Sequence, residues 1–256
     1  MAAIISKWTR FMAAGCSHAL AIDPIARDAA LKFKELWKPD LTLHLGDAID
    51  TPSFRSGAHG TSDQNKDVQP DIDAGLDFLR QLRPQIFCCG NHEARLWELR
   101  SSPDARIRFA ATQAINHITD ACNEIGTKVI PYEGVYQKYI RGDVLFTHGT
   151  IYNENQCRDL AEMYVGTDGV VSKVVSVHTH KAGQQGGRTL RNSEGYNAGT
   201  LTRRRESKYA NNRRSTLAWS QGIVFGEIRE GRRPQSAIWL IRGPGEGDKR
   251  EWRFPL

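Results

Sequence analysis

Five short motifs, each directly behind an apolar, β-prone stretch, constrain this chain more than any other feature of its sequence. They read Cys16-Ser17-His18, Gly46-Asp47-Ala48-Ile49-Asp50, Gly90-Asn91-His92-Glu93, Thr147-His148-Gly149 and His178-Thr179-His180. One such motif alone says little, because Gly-Asp and Asn-His also make ordinary turns. Five in series place metal-ligating side chains at the ends of successive strands. A sheet of parallel strands gathers its ligands at the strands' carboxyl ends, and a set of this composition suits two divalent cations working on one phosphoester.

The segments between the motifs read as an α/β pattern early and as strands later. Residues 8–15 form the first expected strand. Pro24 then opens an amphipathic helix to Trp37, with Asp23 as N-cap and Ile25, Ala29, Leu31, Phe33 and Leu36 as its apolar face. Strands at 41–45 and 85–89 deliver Asp47 and Asn91, and His44, lying inside its strand, reads as a packed histidine. Residues 51–71 are a polar loop, expected to overhang the site, and a helix follows from about Ile72 to Leu82. Helical patterns cover 93–101 and 104–125. Strands are expected around 127–140, 143–147, 170–177, 187–192, 220–230 and 235–242, and Trp252 and Phe254 are expected to dock back on the core. There is no internal repeat.

At 256 residues, with 39% hydrophobic and 25% charged residues, the chain suits one domain, residues 1–256, with a sizeable core. Its basic, strand-rich portion 181–256 is read as part of that domain. No stretch approaches the roughly 18 apolar residues that span a bilayer. Met12-Ala13-Ala14-Gly15-Cys16 has the outward form of a lipoprotein cleavage site, yet Lys7, Trp8 and Arg10 leave no apolar segment of about 7–15 residues ahead of it. Five cysteines without regular spacing fit a reducing compartment. The expected location is cytoplasmic, with no membrane partner, and the oligomeric state is left open. Cys88, Cys89, Cys122 and Cys157 are assigned no role.

The net charge of +6 is uneven. Residues 1–180 hold 19 Lys and Arg against 22 Asp and Glu, whereas residues 181–256 hold 16 against 7. The basic residues cluster at Arg203-Arg204-Arg205, Lys208, Arg213-Arg214 and Arg232-Arg233. Such a stripe suits a polyanion such as DNA or RNA, because each neutralised phosphate releases counterions; it also suits a solvated face that serves solubility.

In order and spelling the motifs resemble the calcineurin-like metallophosphoesterases, whose signature runs Asp-x-His, Gly-Asp-x-x-Asp, Gly-Asn-His-Asp/Glu, His and Gly-His-x-His. The resemblance covers roughly residues 10–181. Gly195 to Leu201 and Trp219 to Phe225 further resemble members encoded by phage. Cys16 stands where the family usually has Asp, and Val177 where it usually has Gly. The resemblance implies a two-sheet β-sandwich core flanked by helices, of mixed α/β (α+β) class, and two divalent ions, with Mn, Zn or Fe the expected identities. One ion would take Cys16, His18, Asp47 and His180. The other would take Asp47, Asn91, His148 and His178.

The chemistry this implies is hydrolysis of a phosphate ester by a water that two cations about 3.5–4 Å apart make acidic. Asp47 is the expected bridge, His92 the general acid at the leaving oxygen and Asp50 its orienting partner. Arg95 and Arg55 are candidate phosphate clamps, and Arg203, Arg204 and Arg205 candidate nucleic-acid contacts. Three roles are open for Cys16. As a ligand its thiolate favours Zn²⁺ or Fe²⁺ over Mg²⁺; as a non-ligand it leaves one ion weakly held; or the chain binds metal without turnover. A phosphodiesterase or nuclease on nucleic acid or nucleotides leads the functional readings. A phosphomonoesterase such as a protein Ser/Thr phosphatase is the alternative, although Ile49-Asp50-Thr51 lacks that branch's Asp-Arg-Gly. A metal-binding interaction module is the third.

Overall fold

The structure is a computed structural model that describes residues 7–165, 170–189, 192–206, 214–245 and 251–255. Strands β1 (Trp8–Ala14), β2 (Leu41–His44), β3 (Ile86–Cys88), β4 (Lys128–Ile130), β10 (Gly222–Arg229) and β11 (Gln235–Arg242) build one sheet in the order β11-β10-β1-β2-β3-β4. Its four strands from β1 to β4 run parallel, and β10 and β11 extend it antiparallel. A second sheet has the order β5-β6-β7-β9-β8, from β5 (Tyr139–Arg141), β6 (Val144–Phe146), β7 (Lys173–Ser176), β8 (Gly183–Gly186) and β9 (Glu194–Asn197). There β6, β7 and β9 are parallel, with antiparallel edges.

Period-two alternation sorts the side chains into layers. Phe11 and Ala13 of β1, Ile86 and Cys88 of β3, and Val144 and Phe146 of β6 meet between the sheets. Their neighbours in sequence face outward. Met12 and Ala14 pack on Ala26, Ala30 and Phe33 of helix α1 (Pro24–Trp37). Phe87 packs on α2 (Val68–Leu82) and α4 (Ala105–Glu124), and Leu145 on α5 (Gln156–Val165). This is the sandwich expected from the sequence. Strands β2, β3, β6 and β7 are buried on both faces, which explains why they read as largely apolar runs.

Asp23 caps α1 as expected, accepting from Ile25 N at 2.9 Å, a bond worth about 1 kcal/mol. Trp252 and Phe254 pack against the α1 layer, the Phe254 and Phe33 rings 5.2 Å apart. The remaining early helix is α3 (Asn91–Leu99).

Two expectations are corrected, and one helix is added. The strand expected at 127–140 is broken into β4 and β5 by a 3-10 turn at Gly134–Tyr136. The expected strand at 187–192 is instead a connection between β8 and β9, closed by Gly187 N donating to Ser193 O at 2.8 Å; residues 190 and 191 lie outside the described residues. Helix α5 was not expected at all. Its apolar positions Cys157, Leu160, Ala161 and Tyr164 follow helical spacing, but the segment is short and opens in a polar Asn-Glu-Asn turn. It docks so closely that a Cβ at Gly195 of β9 would strike the Cys157 backbone.

Candidate metal centre

All five motifs leave the carboxyl ends of parallel strands: β1, β2 and β3 from one sheet, β6 and β7 from the other. The parallel ladder continues past β1 and β2 into the loops, with Cys16 N donating to Gly46 O at 2.8 Å and His18 N to Asp47 O at 2.9 Å. Cys16, His18, Asp47, His178 and His180 all adopt left-handed backbone, φ between 49° and 70°. Non-glycine residues seldom do so, and the concentration of such positions marks a site whose surroundings enforce them.

Two clusters of donor atoms result. Ligand atoms of Cys16, His18, Asp47 and His180, four buried residues, lie within 4.8 Å of one another. In the other cluster, His148 Nε2 is 3.1 Å from both Asn91 Oδ1 and His178 Nδ1, which are 3.0 Å apart. Asp47 Oδ2 lies between them, 3.4 Å from His148 Nε2 and 3.8 Å from His18 Nε2. The seven residues expected from the sequence are thus brought together.

The donor chemistry fits cations. His18 Nε2 and His180 Nε2 face each other at 3.0 Å, and His180 Nδ1 is buried with no hydrogen-bond partner among the described residues. Burial, then His148, lowers the His178 pKa to about 4; burial, then His18, holds His180 well below the usual range. Both rings are therefore neutral, with lone pairs to offer. His148 Nδ1 is 2.8 Å from Leu45 O, which can only accept, so Nδ1 carries a proton and Nε2 is the atom turned to Asp47, Asn91 and His178. Burial opposes a charge on Asp47, yet His148, His92 and His18 outweigh it and keep the carboxyl ionised. Burial, then Asp47, raises the Cys16 thiol, so a thiolate there calls for a cation beside it. His18, Asp50 and His92 form a further cluster within 4.8 Å.

His92 Nδ1 makes a close ion pair with Asp50 Oδ1, which is also 3.4 Å from His18 Nδ1. Burial works against a charged His92, but Asp47 and Asp50 raise its pKa above the ordinary value. Arg95 donates from Nη1 to Asp50 O at 3.2 Å, close enough to His92 to oppose its charge. Arg55 is engaged within its own loop, 2.8 Å from Asp63 Oδ2.

Of the basic residues, Arg203 N donates to Ala21 O at 2.8 Å, which ties the Arg203 to Arg205 segment to the turn behind His18. Arg232 and Arg233 sit instead in the β10–β11 turn beyond Arg229, which pairs with Trp8 at the start of β1, the end away from the motifs. Among the described residues, the basic side chains of the last third therefore do not form one stripe. Lys208 and Arg213, and the side chain of Arg214, lie outside the described residues.

Several residues that hold the site in shape were not expected. Glu93 is fully buried and accepts three backbone N–H groups: Asp47 N at 2.9 Å, Gly90 N at 2.6 Å and Ile49 N at 2.9 Å. Its sequence signal is its place three residues after the N-cap Gly90, where a carboxylate reaches back. Gly90 itself has no room for a Cβ, which would collide with Asp47 Oδ1. Asp71 accepts from Asp50 N and Thr51 N, at 2.9 and 2.7 Å. Gln137 accepts from His148 N at 2.8 Å and donates to Cys89 O at 2.7 Å. Asn197 donates to Val177 O and accepts from Gly199 N at 2.7 Å. His44 bridges two motif loops as a packed histidine, 3.1 Å from Ser17 Oγ and accepting from Gly46 N at 3.3 Å; burial lowers its pKa to about 3. Val177, in place of the family's usual Gly, is buried, and its methyls fill the space over Gly15.

No curated protein sequence matches the chain. Among solved structures it is similar to a 5'-nucleotidase from Staphylococcus aureus described with alpha-ketoglutarate, at 10% identity and a TM-score of 0.45, over 92% of this chain and 54% of that one. The chain thus spans about half the length of that protein. It is also similar to the phosphoesterase Yfce from E. coli, at 13% identity and a TM-score of 0.39, over 91% and 98% of the two chains. Vps29 from Chaetomium thermophilum matches at 14% identity and a TM-score of 0.37, over 92% and 97%. The sequence profile of the calcineurin-like phosphoesterases matches residues 9–216, and the chain belongs to that family.

Proposed function

We propose that the protein is a divalent-metal-dependent phosphodiesterase acting on nucleic acid or nucleotides. The observation that carries this reading is the position of Asp47 Oδ2 between two histidine clusters, 3.4 Å from His148 Nε2 and 3.8 Å from His18 Nε2. Cys16, His18, Asp47 and His180 would hold one cation, and Asp47, Asn91, His148 and His178 the other. Such a pair, when bound, screens phosphate charge and makes water more acidic. His92 then serves as general acid, because Asp47 and Asp50 favour its protonated form, and Asp50 fixes its ring. Asn91 contributes a neutral oxygen and so limits the negative charge of its cluster. Arg95 is placed to steady a phosphate oxygen beside Asp50.

Two features support a base-bearing, anionic substrate. Half-exposed Tyr152 lies against His178, ring centroids 6.0 Å apart, with Lys181 Nζ 5.7 Å from the Tyr152 ring centre. An aromatic face beside a cation is the combination on which bases stack and phosphates pair. The arginine segment 203–205 supplies further positive charge behind the His18 turn, partly offset by Glu206, which lies 3.9 Å from Arg203.

The test is hydrolysis of a generic phosphodiester and of the matching monoester by protein stripped of metal and reloaded with Mn²⁺, Zn²⁺, Fe²⁺ or Mg²⁺. Diester turnover is expected to vanish in Asp47→Asn and to fall by about 10²–10⁴-fold in His92→Ala with metal content retained. Monoester preference would move the reading to a phosphatase. No turnover with bound metal would make the protein a metal-binding interaction module.

A further inference from the structure

A cavity of about 340 Å³ opens beside the His18 end of the centre, with Asp50 in its wall. That volume is at the small end of the roughly 300–1,000 Å³ of small-molecule sites, room for one nucleoside rather than a strand. Its walls have two chemistries. Leu20, Pro52 and Pro70 give apolar surface, and Leu20 is 65% exposed on the turn behind left-handed His18 and Ala19. Asp67 and Glu206 join Asp50 and Asp71 as acids, against Lys66. Lys66 shares Asp63 with Arg55, at 3.0 and 2.8 Å, and Glu206 faces Arg203 at 3.9 Å, so four carboxylates of the wall stand against the charges of Lys66 and Arg203. Asp67 stands at the N-cap of α2 without a side-chain capping bond, which leaves its carboxylate available as an acceptor.

We infer that this cavity is the leaving-group subsite and that the alcohol released there is a single neutral unit of nucleoside size, which restricts cleavage to nucleotides and the terminal linkages of a strand. The inference rests on the proposed function, because Asp50 pairs with His92, the proposed proton donor to the leaving oxygen. Water gives up one proton to solvent as its oxygen bonds to phosphorus, the P–O bond to the leaving alcohol breaks with its electron pair kept on that oxygen, and His92 supplies that oxygen's proton and is reprotonated from solvent. The group so freed sits among carboxylates. A second phosphate on it would face like charge at short range, whereas hydroxyl and amino groups would find acceptors and a base or sugar face would find Leu20, Pro52 and Pro70. The His178 end, with Tyr152 and Lys181, has the opposite character and suits the portion that keeps the phosphate.

The test compares a dinucleoside monophosphate with the same compound phosphorylated on the free hydroxyl of whichever nucleoside the products show to be the leaving one. The added phosphate is expected to lower kcat/KM about tenfold. Asp67→Lys, outside the proposed catalytic and metal-binding residues, is expected to narrow or reverse that preference, read as the ratio of kcat/KM for the two dinucleotides within each variant. Equal turnover of the two dinucleotides, or a preference untouched by Asp67→Lys, overturns the inference while leaving the phosphodiesterase reading intact. Failure of the generic diester alone sinks that reading. Calorimetric titration with adenosine gives a readout free of turnover: binding that weakens at least fivefold in Leu20→Asp supports the subsite, and no binding to the wild-type protein overturns it.

Discussion

Cys16 shows how one side chain couples metal choice to the fold. Its Sγ is completely buried and accepts one contact, from His178 N at 3.3 Å. Burial and then Asp47 both oppose a thiolate, and one backbone N–H is weak compensation. A soft divalent cation among His18, Asp47 and His180 would supply what is missing. Cys16→Asp therefore is expected to move activation from Zn²⁺ or Fe²⁺ toward Mn²⁺ or Mg²⁺ by about tenfold, as read from initial rates across a metal series. The left-handed backbone at φ 49° tolerates Asp better than most residues, so folding should survive the change. An unaltered metal profile would remove Cys16 from the ligand set.

At the level of elements, the centre is held by side chains reaching between loops. Helix α3 begins on Gly90, and Glu93 in its first turn clamps the Asp47 loop through Asp47 N and Ile49 N. Glu93→Ala leaves three buried donors without an acceptor, at about 1–3 kcal/mol each. The expected loss is about 3–5 kcal/mol in denaturant unfolding, with weaker metal binding; a loss under about 1 kcal/mol would show that the loop holds without Glu93. Asp71 does the same for Asp50 and Thr51, and burial raises its pKa to about 6. Folded Asp71 keeps its proton to about pH 6, whereas the unfolded chain releases it near 3.8, so folding takes up a proton in that window. Its contribution to stability therefore falls as pH rises from about 4 to 6. Asp71→Asn keeps an acceptor oxygen and cannot ionise, so its unfolding free energy relative to wild type is expected to rise over that range. Parallel profiles would contradict the assignment.

These elements also show what the sequence makes legible. The donors were readable because each sits in a short spelled motif at a strand end, where local order fixes its position. Glu93, Asp71, Gln137 and Asn197 act on loops 11 to 46 residues away, and their partners are backbone groups that carry no sequence signature. Helix α5 was missed although its apolar spacing is helical, because ten residues give few repeats of the period. The strand expected at 187–192 failed because its Gly-rich start serves the β8–β9 connection.

Across the whole molecule, the candidate centre joins the two sheets. One sheet delivers Cys16, His18, Asp47, Asn91 and His92; the other delivers His148, His178 and His180. Metal binding there would link elements that otherwise meet through Phe11, Phe146 and their neighbours in the apolar layer. Among the described residues no helix is long and apolar enough to cross a membrane. Charge is divided as well: the Arg203 segment lies by the site, while Arg232 and Arg233 sit at the far end of the first sheet.

The central claim is that Asp47 is shared by two ions, and metal content per chain tests it most directly. Wild-type protein saturated with Zn²⁺ or Mn²⁺ and freed of excess metal is expected to retain two ions per chain by plasma mass spectrometry, and Asp47→Asn fewer than one. Chelation should lower the wild-type Tm by several degrees, since the ions bind only the folded form. Saturation of the wild-type protein at a single ion, or an Asp47→Asn variant that still holds two, would contradict the account.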